Sequence, residues 1–340
     1  MSFKSFSKLT LVSIFLIIVA GSLVRMTGSG MGCPDWPMCF GYLIPPTSED
    51  QIEWGAEKTF FEGQMIIYDD QLWSANYDFV SSDVYNKTNW TLYTKHDYSV
   101  FNPFHTWMEY LNRLIGAASG VLTLIMFVMS FRFFYTKRKI VFLSGLTLVL
   151  MGLQAWLGAI VVYSVLQPVK ITTHMLMALV ILGLMVYLIS LLPASSNEIK
   201  RVYDNRLYQL LKLAIILSLI QIILGTQVRQ LIDEISSSFN YMHRDLWIGL
   251  TGITFKIHRS FAISLVLING LLFFRNYKLK FRFQLVNFVF GIVLLEVLSG
   301  IVLTYFDMMS LMQPIHLVAA SLIFVFQSAL YFQLQQTKST

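Results

Sequence analysis

Three histidines lie within long apolar segments of the chain, where an ionisable side chain is costly and usually has a function. His174 and His316 are 142 residues apart and follow matching sequences, and His258 lies in a neighbouring segment at a similar depth. A neutral imidazole is a strong ligand for iron, and two of them on facing helices could bind a haem from both sides. The alternative for each one is a buried histidine that only hydrogen-bonds to a nearby carbonyl group.

A second polar group is formed by Glu109, Asn112 and Arg113, which have helical spacing. Residues three and four apart share one face of a helix, so these side chains project together. The carboxylate could transfer protons at a bound substrate, or it could simply neutralise Arg113 inside the membrane. Asn112 and Arg113 match His258 and Arg259 at an offset of 146. We therefore predict one site with two histidine ligands and one with a single histidine beside an acid–base group.

Four arginines, namely Arg25, Arg113, Arg229 and Arg259, lie at the ends of apolar segments. Such long side chains can simply extend from the membrane into water. They could also bind carboxylates such as haem propionates, because the planar guanidinium group donates paired hydrogen bonds. Arg25, Arg229 and Arg259 are therefore candidate propionate contacts.

The composition of the chain places these residues in a membrane protein. Of 340 residues, 56% are hydrophobic and 13% are charged, whereas soluble domains have about 25% charged residues. A membrane-spanning helix needs roughly 20 apolar residues, and eight stretches meet that need, at residues 9–24, 107–134, 140–163, 172–192, 207–228, 256–274, 283–305 and 314–332. We predict an all-α polytopic membrane protein with eight transmembrane helices.

The charged residues predict the orientation of these helices. The short loops on one side and both ends of the chain carry most of the basic residues, including Lys200 and Arg201. The other side has one long loop, residues 31–104, with eleven acidic residues and three lysines. Basic loops stay in the cytoplasm, so we expect cytoplasmic termini and an outer loop in a bacterial plasma membrane. The net charge of +6 then belongs to the cytoplasmic surface and does not indicate nucleic-acid binding.

The chain contains an internal duplication. Residues 154–158 (QAWLG) recur as 296–300 (EVLSG), and residues 21–25 (GSLVR) recur as 225–229 (GTQVR). We predict two four-helix halves, residues 1–195 and 196–340, which share one orientation because each has an even number of spans. The long loop is an insertion in the first half.

Cys33 and Cys39 are the only cysteines of the chain, and both fall in the long loop. The oxidising outer face of a bacterial membrane favours a disulfide between them. The bridge could be a structural staple for a loop that contains proline, or it could be a redox-active pair that passes electrons.

These motifs resemble those of the haem A synthase family. The most specific stretch is residues 21–41, GSLVRMTGSGMGCPDWPMCFG. The similarity continues at residues 109–116 (EYLNRLIG), 173–175 (THM), 257–259 (IHR) and 314–316 (PIH), so it covers all eight spans. The resemblance implies two pseudo-symmetric four-helix bundles. It also implies an oxidoreductase that converts the C8 methyl group of haem O into the formyl group of haem A for cytochrome oxidase.

The resemblance also implies roles for single residues. His258 and His316 would bind a low-spin haem b in the second half, and His174 would belong to the substrate-haem site in the first half. Glu109 would be the catalytic residue, next to the substrate methyl group. Cofactor and substrate would thus be haem b and haem O.

One residue departs from the family pattern. Many members have histidine at the position of Asn112, so a substrate site with two histidines cannot form from the expected residues. We expect a five-coordinate iron held by His174, with Asn112 and Arg113 lining the substrate-haem pocket. Cys33 and Cys39 match a cysteine pair found in part of the family.

The family further implies haem O synthase, cytochrome oxidase assembly factors and an electron acceptor such as a quinone as partners. The sequence leaves the oligomeric state open, and a homo-oligomer is one outcome. Two other functions also fit the residues. The chain could be a bis-histidine membrane b-type cytochrome that links a quinone to the Cys33–Cys39 pair, or it could be a haem carrier, for which Glu109 would be dispensable.

Overall fold

Long apolar helices dominate the computed structural model of this protein, which describes residues 2–96, 99–193 and 203–338. Within these residues, eight helices are long and apolar enough to cross a membrane. They are α1 (Phe3–Met26), α2 (Pro103–Ser130), α3 (Arg138–Tyr163), α4 (Pro168–Ser190), α5 (Asn205–Ser238), α7 (Gly252–Tyr277), α8 (Gln284–Tyr305) and α9 (Met312–Lys338), with a short α6 (Arg244–Leu250) between α5 and α7. The predicted all-α polytopic architecture is confirmed. Lys200, Arg201 and the boundary at residues 195/196 lie outside the described residues.

Short polar side chains set where several helices begin. The Asn102 side chain accepts a hydrogen bond from the backbone N–H of His105, and Pro103 is the first residue of α2. Both features favour a helix start, because the early N–H groups have no partner within the helix. Asp204 caps α5 in the same way, with 2.7 Å between its carboxylate and the Leu207 nitrogen.

The long helices pack as two rings of four. In the first ring α1 contacts α2 and α4, and α3 contacts α2 and α4. In the second ring α5 contacts α7 and α9, and α8 contacts α7 and α9. Contacts of α9 with α1 and α4, and of α4 with α5, join the rings. Diagonal partners are therefore α2 with α4 and α7 with α9. The arrangement is the one expected for two four-helix halves, although the duplication itself stays a prediction.

The helices have a buried inner side and an apolar outer side. Leu182, Met185 and Leu188 on α4 are fully buried at the centre of the largest core cluster. Large apolar side chains also cover the outer faces, for example Phe142 at 67% exposure and Phe288 at 62%. Apolar outer surfaces of this extent suit lipid rather than water, which agrees with a membrane protein.

The long loop folds into a small β-structured subdomain that the sequence did not predict. Strands β1 (Thr59–Phe60) and β4 (Phe79–Val80) pair antiparallel, and β3 (Gln71–Ala75) pairs antiparallel with β2 (Met65–Tyr68) and β5 (Trp90–Leu92). Phe60, Ile66, Trp73 and Trp90 form its apolar core. Gly41 has φ +74°, and a Cβ atom there would lie 2.1 Å from the Gly63 carbonyl oxygen. Only glycine fits this close approach, which joins the Cys33–Cys39 segment to the strands.

Candidate functional site

Each of the three histidines in the spans packs against a glycine on another long helix. The pairs are His174 with Gly158 of α3, His258 with Gly225 of α5, and His316 with Gly300 of α8. A Cβ atom on these glycines would lie 3.4, 3.1 and 3.4 Å, respectively, from the Cε1 atom of the histidine. The missing side chain therefore lets each imidazole lie directly against a neighbouring helix backbone.

A polar residue one helical turn before the glycine contacts the same histidine. The Gln154 side chain donates to the His174 carbonyl oxygen (3.0 Å), and its Nε2 lies 3.3 Å from His174 Nε2. Gln221 repeats this arrangement at His258, with distances of 3.1 and 3.5 Å. From the sequence alone, Gln154 and Glu296 are equivalent mid-span residues that could hydrogen-bond between helices, and Gln221 is not recognised beside them. The signal was a glutamine four residues before the glycine in both helices.

His316 has a partner at each ring nitrogen. The Oε1 atom of Glu296 lies 3.2 Å from His316 Nε2. The Ser299 hydroxyl oxygen lies 2.8 Å from His316 Nδ1. Glu296 is at the position equivalent to Gln154, so all three histidines have a carboxamide or carboxylate beside them.

The spacing of His258 and His316 fits a metal between them. Their ring centres are 6.3 Å apart, and the ring planes make an angle of 69°. Metal–imidazole bonds of about 2.0–2.1 Å would place the centres of two opposite ligand rings roughly 6–6.5 Å apart. The two histidines come from the diagonal helices α7 and α9, which face each other across the ring. The pair therefore fits an axial ligand set for a haem iron.

The first ring has the same arrangement with a different donor set. Asn112 of α2 and His174 of α4 come from its diagonal helices. A Cβ atom on Gly21 of α1 would lie 3.9 Å from Asn112 Oδ1, so Asn112 takes the place that histidine has in the other three helix pairs. Its Oδ1 atom is buried and has no hydrogen-bond partner among the described residues.

Glu109 is buried, with 4% exposure, and both of its carboxylate oxygens are bonded. The backbone N–H of Cys33 donates to Oε2 at 2.9 Å, and the Arg113 guanidinium donates to Oε1. Arg113 also donates to the carbonyl oxygens of Asp35 and Met38, both at 2.7 Å. The predicted Glu109–Arg113 pair therefore exists, and in addition it binds the backbone of the cysteine loop.

Cys33 and Cys39 form the predicted disulfide, and both residues are fully buried. The backbone between them is fixed from several sides; for example, Tyr163 at the end of α3 donates to the Trp36 carbonyl oxygen at 2.8 Å. The Asp35 carboxylate accepts hydrogen bonds from two backbone N–H groups of the loop. Burial raises the pKa of Asp35 above its ordinary value, although these hydrogen bonds oppose the rise.

Two of the candidate propionate contacts bind a carboxylate of the chain itself. Asp233 of α5 bonds to Arg25 of α1 at 2.6 Å and to Arg229 at 2.8 Å. We call this group the Asp233 clasp. It joins helices of the two rings, and sequence analysis did not predict Asp233. Arg259 lies over the Phe255 ring at 5.6 Å. A propionate role for these arginines stays a prediction.

The fold and these residues define a polytopic membrane protein in which one helix ring pairs two histidines from opposite helices and the other pairs a histidine with an asparagine. The chain belongs to the COX15-CtaA family of cytochrome oxidase assembly proteins, whose family model matches residues 4–80 and 72–328. The predicted family resemblance is thereby confirmed.

Among curated relatives, the chain is similar to haem A synthases. It is 24% identical to that of Shewanella oneidensis over 183 residues, which are 53% of this chain and 43% of the relative. It is 26% identical to that of Cereibacter sphaeroides over 243 residues, 65% of this chain and 54% of the relative. The match to that of Alkalihalophilus pseudofirmus is shorter, with 43% identity over 54 residues, 15% of this chain and 18% of the relative. The chain thus spans about half the length of the first two relatives.

Proposed function

We propose that this protein is a haem A synthase, which oxidises the C8 methyl group of haem O to the formyl group of haem A for cytochrome oxidase. The names of the curated relatives support this activity. The observation that carries the proposal is the difference between the two rings. One ring places two histidines 6.3 Å apart, whereas the other pairs a single histidine with Asn112 and, on the same helix as Asn112, the buried Glu109. The first set suits a resident cofactor and the second a substrate.

In the second ring, His258 and His316 would hold a haem b. That group would supply a one-electron carrier that accepts electrons from the oxidation in the first ring. The residues of the chain bind and orient it: the imidazoles provide the ligands, and Gly225 and Gly300 leave room for the rings. Arg25, Arg229 and Arg259 are the candidate contacts for the propionates.

In the first ring, His174 would bind the iron of haem O. The substrate methyl group and one water molecule, the oxygen source, would together lose four protons and four electrons through a hydroxylated intermediate to give the formyl group. Glu109 would take up protons released in this oxidation, and the electrons would pass to the electron acceptor. The Cys33 N–H and Arg113 fix the carboxylate. Asn112 leaves one buried oxygen as a hydrogen-bond acceptor in the same ring. The donor set of this ring therefore fits a substrate haem with one histidine ligand.

We further propose a bacterial plasma membrane as the location, with cytoplasmic termini and an outer loop. The basic short loops support this orientation, and the disulfide in the long loop agrees with an oxidising outer face. Haem O synthase and assembly factors of cytochrome oxidase are the partners that this activity requires nearby, together with an electron acceptor.

The test is to express the chain together with a haem O-producing enzyme, extract the haem and analyse it by mass spectrometry. We expect haem A or its hydroxylated precursor from the wild type, and none from Glu109→Gln. Glu62→Gln, an exposed glutamate in the long loop, is the matched control and should behave as the wild type. Normal haem A from Glu109→Gln would overturn the role of Glu109. Bound but unaltered haem in the wild type would overturn the synthase and favour a membrane cytochrome or a carrier.

A further inference from the structure

The three histidines in the spans differ at Nδ1. The Nδ1 atoms of His174 and His258 are buried without a hydrogen-bond partner among the described residues. His316 Nδ1, in contrast, lies 2.8 Å from the hydroxyl oxygen of Ser299 on α8. The two histidines of the second ring are therefore not equivalent.

The second hydrogen bond of Ser299 fixes the direction of the first. The Ser299 hydroxyl donates to the carbonyl oxygen of Glu296 at 2.9 Å. A hydroxyl group has a single hydrogen, so its oxygen is left as the acceptor for His316 Nδ1–H. A neutral imidazole protonated at Nδ1 has its lone pair at Nε2. Ser299 therefore favours the tautomer with a lone pair at Nε2. In this structure Nε2 lies 3.2 Å from Glu296 Oε1, so an iron bound at Nε2 would displace this carboxyl group.

The rest of the surroundings strengthens this arrangement. Ser299 is 1% exposed, so water does not compete for the hydroxyl group. Gly300 follows it in the chain and packs closely against the same imidazole, since a Cβ atom added at Gly300 would lie 3.4 Å from Cε1. The position of the ring is therefore fixed by a hydrogen bond at one atom and by backbone contact at the next. At the offset of 142, the equivalent of Ser299 in the first half is Leu157, which cannot hydrogen-bond.

We propose that Ser299 is a positioning residue for His316 and that it sets the affinity and the reduction potential of the haem in the second ring. The inference rests on the proposed haem b site. An acceptor at Nδ1–H orients a histidine ligand and makes it more basic. A more basic ligand stabilises the oxidised iron, so the hydrogen bond lowers the reduction potential.

The test uses purified full-length protein in detergent with its bound haem. Wild type, Ser299→Ala and Ser299→Thr are compared with Ser321→Ala. Ser321 is the matched control, because it is a buried serine on the helix of His316 whose hydroxyl, among the residues that the structure describes, bonds only to the Leu317 carbonyl oxygen of its own helix. Haem retention, the reduction potential and the electron paramagnetic resonance spectrum of the ferric haem are measured.

We expect Ser299→Ala to weaken haem binding about 10- to 100-fold, the usual range for such partners of metal ligands. The remaining haem should have a higher reduction potential and altered g values. Ser299→Thr, which keeps the hydroxyl group, should restore both properties. If Ser299→Ala cannot be purified, Ser299→Cys provides the same comparison, because a thiol is only a weak acceptor.

Two results separate this inference from the proposed function. If the wild type contains no low-spin haem, the haem b site itself is wrong. If the wild type contains it, but Ser299→Ala or Ser299→Cys matches Ser321→Ala in haem retention, potential and spectrum, the positioning role of Ser299 is overturned while the haem b site stands.

Discussion

Alanine at Gly225 tests whether the contact between glycine and imidazole positions a ligand. A Cβ atom there would lie 3.1 Å from His258 Cε1 and 3.7 Å from Nδ1, whereas ordinary contacts begin at 3.4 Å. To restore a 3.4 Å contact, the imidazole of His258 must move away by about 0.3 Å. This displacement exceeds the roughly 0.2 Å by which metal–ligand distances vary. The same substitution favours the helix, because alanine is the better helix former by about 0.5–1 kcal/mol.

Gly225→Ala should therefore fold normally and still lose haem from the second ring. We expect at least about a tenfold weaker haem affinity, by analogy with other changes beside metal ligands. Haem content per protein and the low-spin absorption spectrum measure the loss, and circular dichroism with thermal unfolding of the haem-free protein measures the fold. Gly291→Ala is the matched control, because within the described part of the chain a Cβ atom at Gly291 would meet no atom of another element within 4 Å.

The haem content of Gly225→Ala should fall while its circular dichroism and thermal unfolding stay as in the wild type. Gly300→Ala, where a Cβ atom would lie 3.4 Å from His316 Cε1, should have a smaller effect than Gly225→Ala. If Gly225→Ala binds haem as tightly as Gly291→Ala, the close glycine contact does not position His258. If Gly225→Ala and Gly291→Ala both lose helicity, the substitutions act on the fold, and the reasoning from ligand geometry is refuted.

Two further predictions concern the long loop and the helix ends. Replacing Cys33 and Cys39 together by serine removes a cross-link between residues 6 apart. This should lower the free energy of unfolding of the loop subdomain by roughly 2 kcal/mol. If the urea midpoint followed by tryptophan fluorescence does not change, this expectation is wrong. The hydrogen bonds from Arg275 hold the pKa of Asp204 below its ordinary value. The ionised Asp204 therefore stabilises the folded protein fully at pH values above the ordinary pKa of an aspartate. This stabilisation is lost as the pH falls through the lower pKa that Asp204 has in the folded state. Melting temperatures measured from about pH 5 down to about pH 2 should therefore fall further for the wild type than for Asp204→Asn, and equal falls would show that the pair does not contribute.

The spans could be predicted from the sequence because each one must hide its backbone in apolar side chains. All eight are present, with shifted ends. The largest shift is at α5, which was predicted to end at residue 228 and continues to Ser238. This extension contains the charged Asp233, at which an apolar stretch read from the sequence alone would stop. Asp233 is tolerated because Arg25 and Arg229 bind it. Arg229, four residues earlier on the same helix, is a local signal for this pair, whereas the bond to Arg25 of α1 leaves none.

The candidate site could be predicted in part. His174, His258, His316 and Glu109 stood out because polar residues are rare in apolar segments. The partners that position them did not, because serine and glutamine residues are common in such helices and their roles depend on the facing helix. The fold of the long loop was also not predicted, since its strands are only two to five residues long.

The Asp233 clasp breaks the symmetry of the two predicted halves. Its arginines, Arg25 and Arg229, are equivalent at an offset of 204, and the residue equivalent to Asp233 at that offset is Ser29. Ser29 instead bonds to His105 Nδ1 at 2.8 Å. A symmetric dimer of one half would carry either two aspartates or two serines at this position. One carboxylate shared by two arginines therefore departs from the symmetry that the predicted duplication implies, so the two predicted halves differ at the contact that joins them.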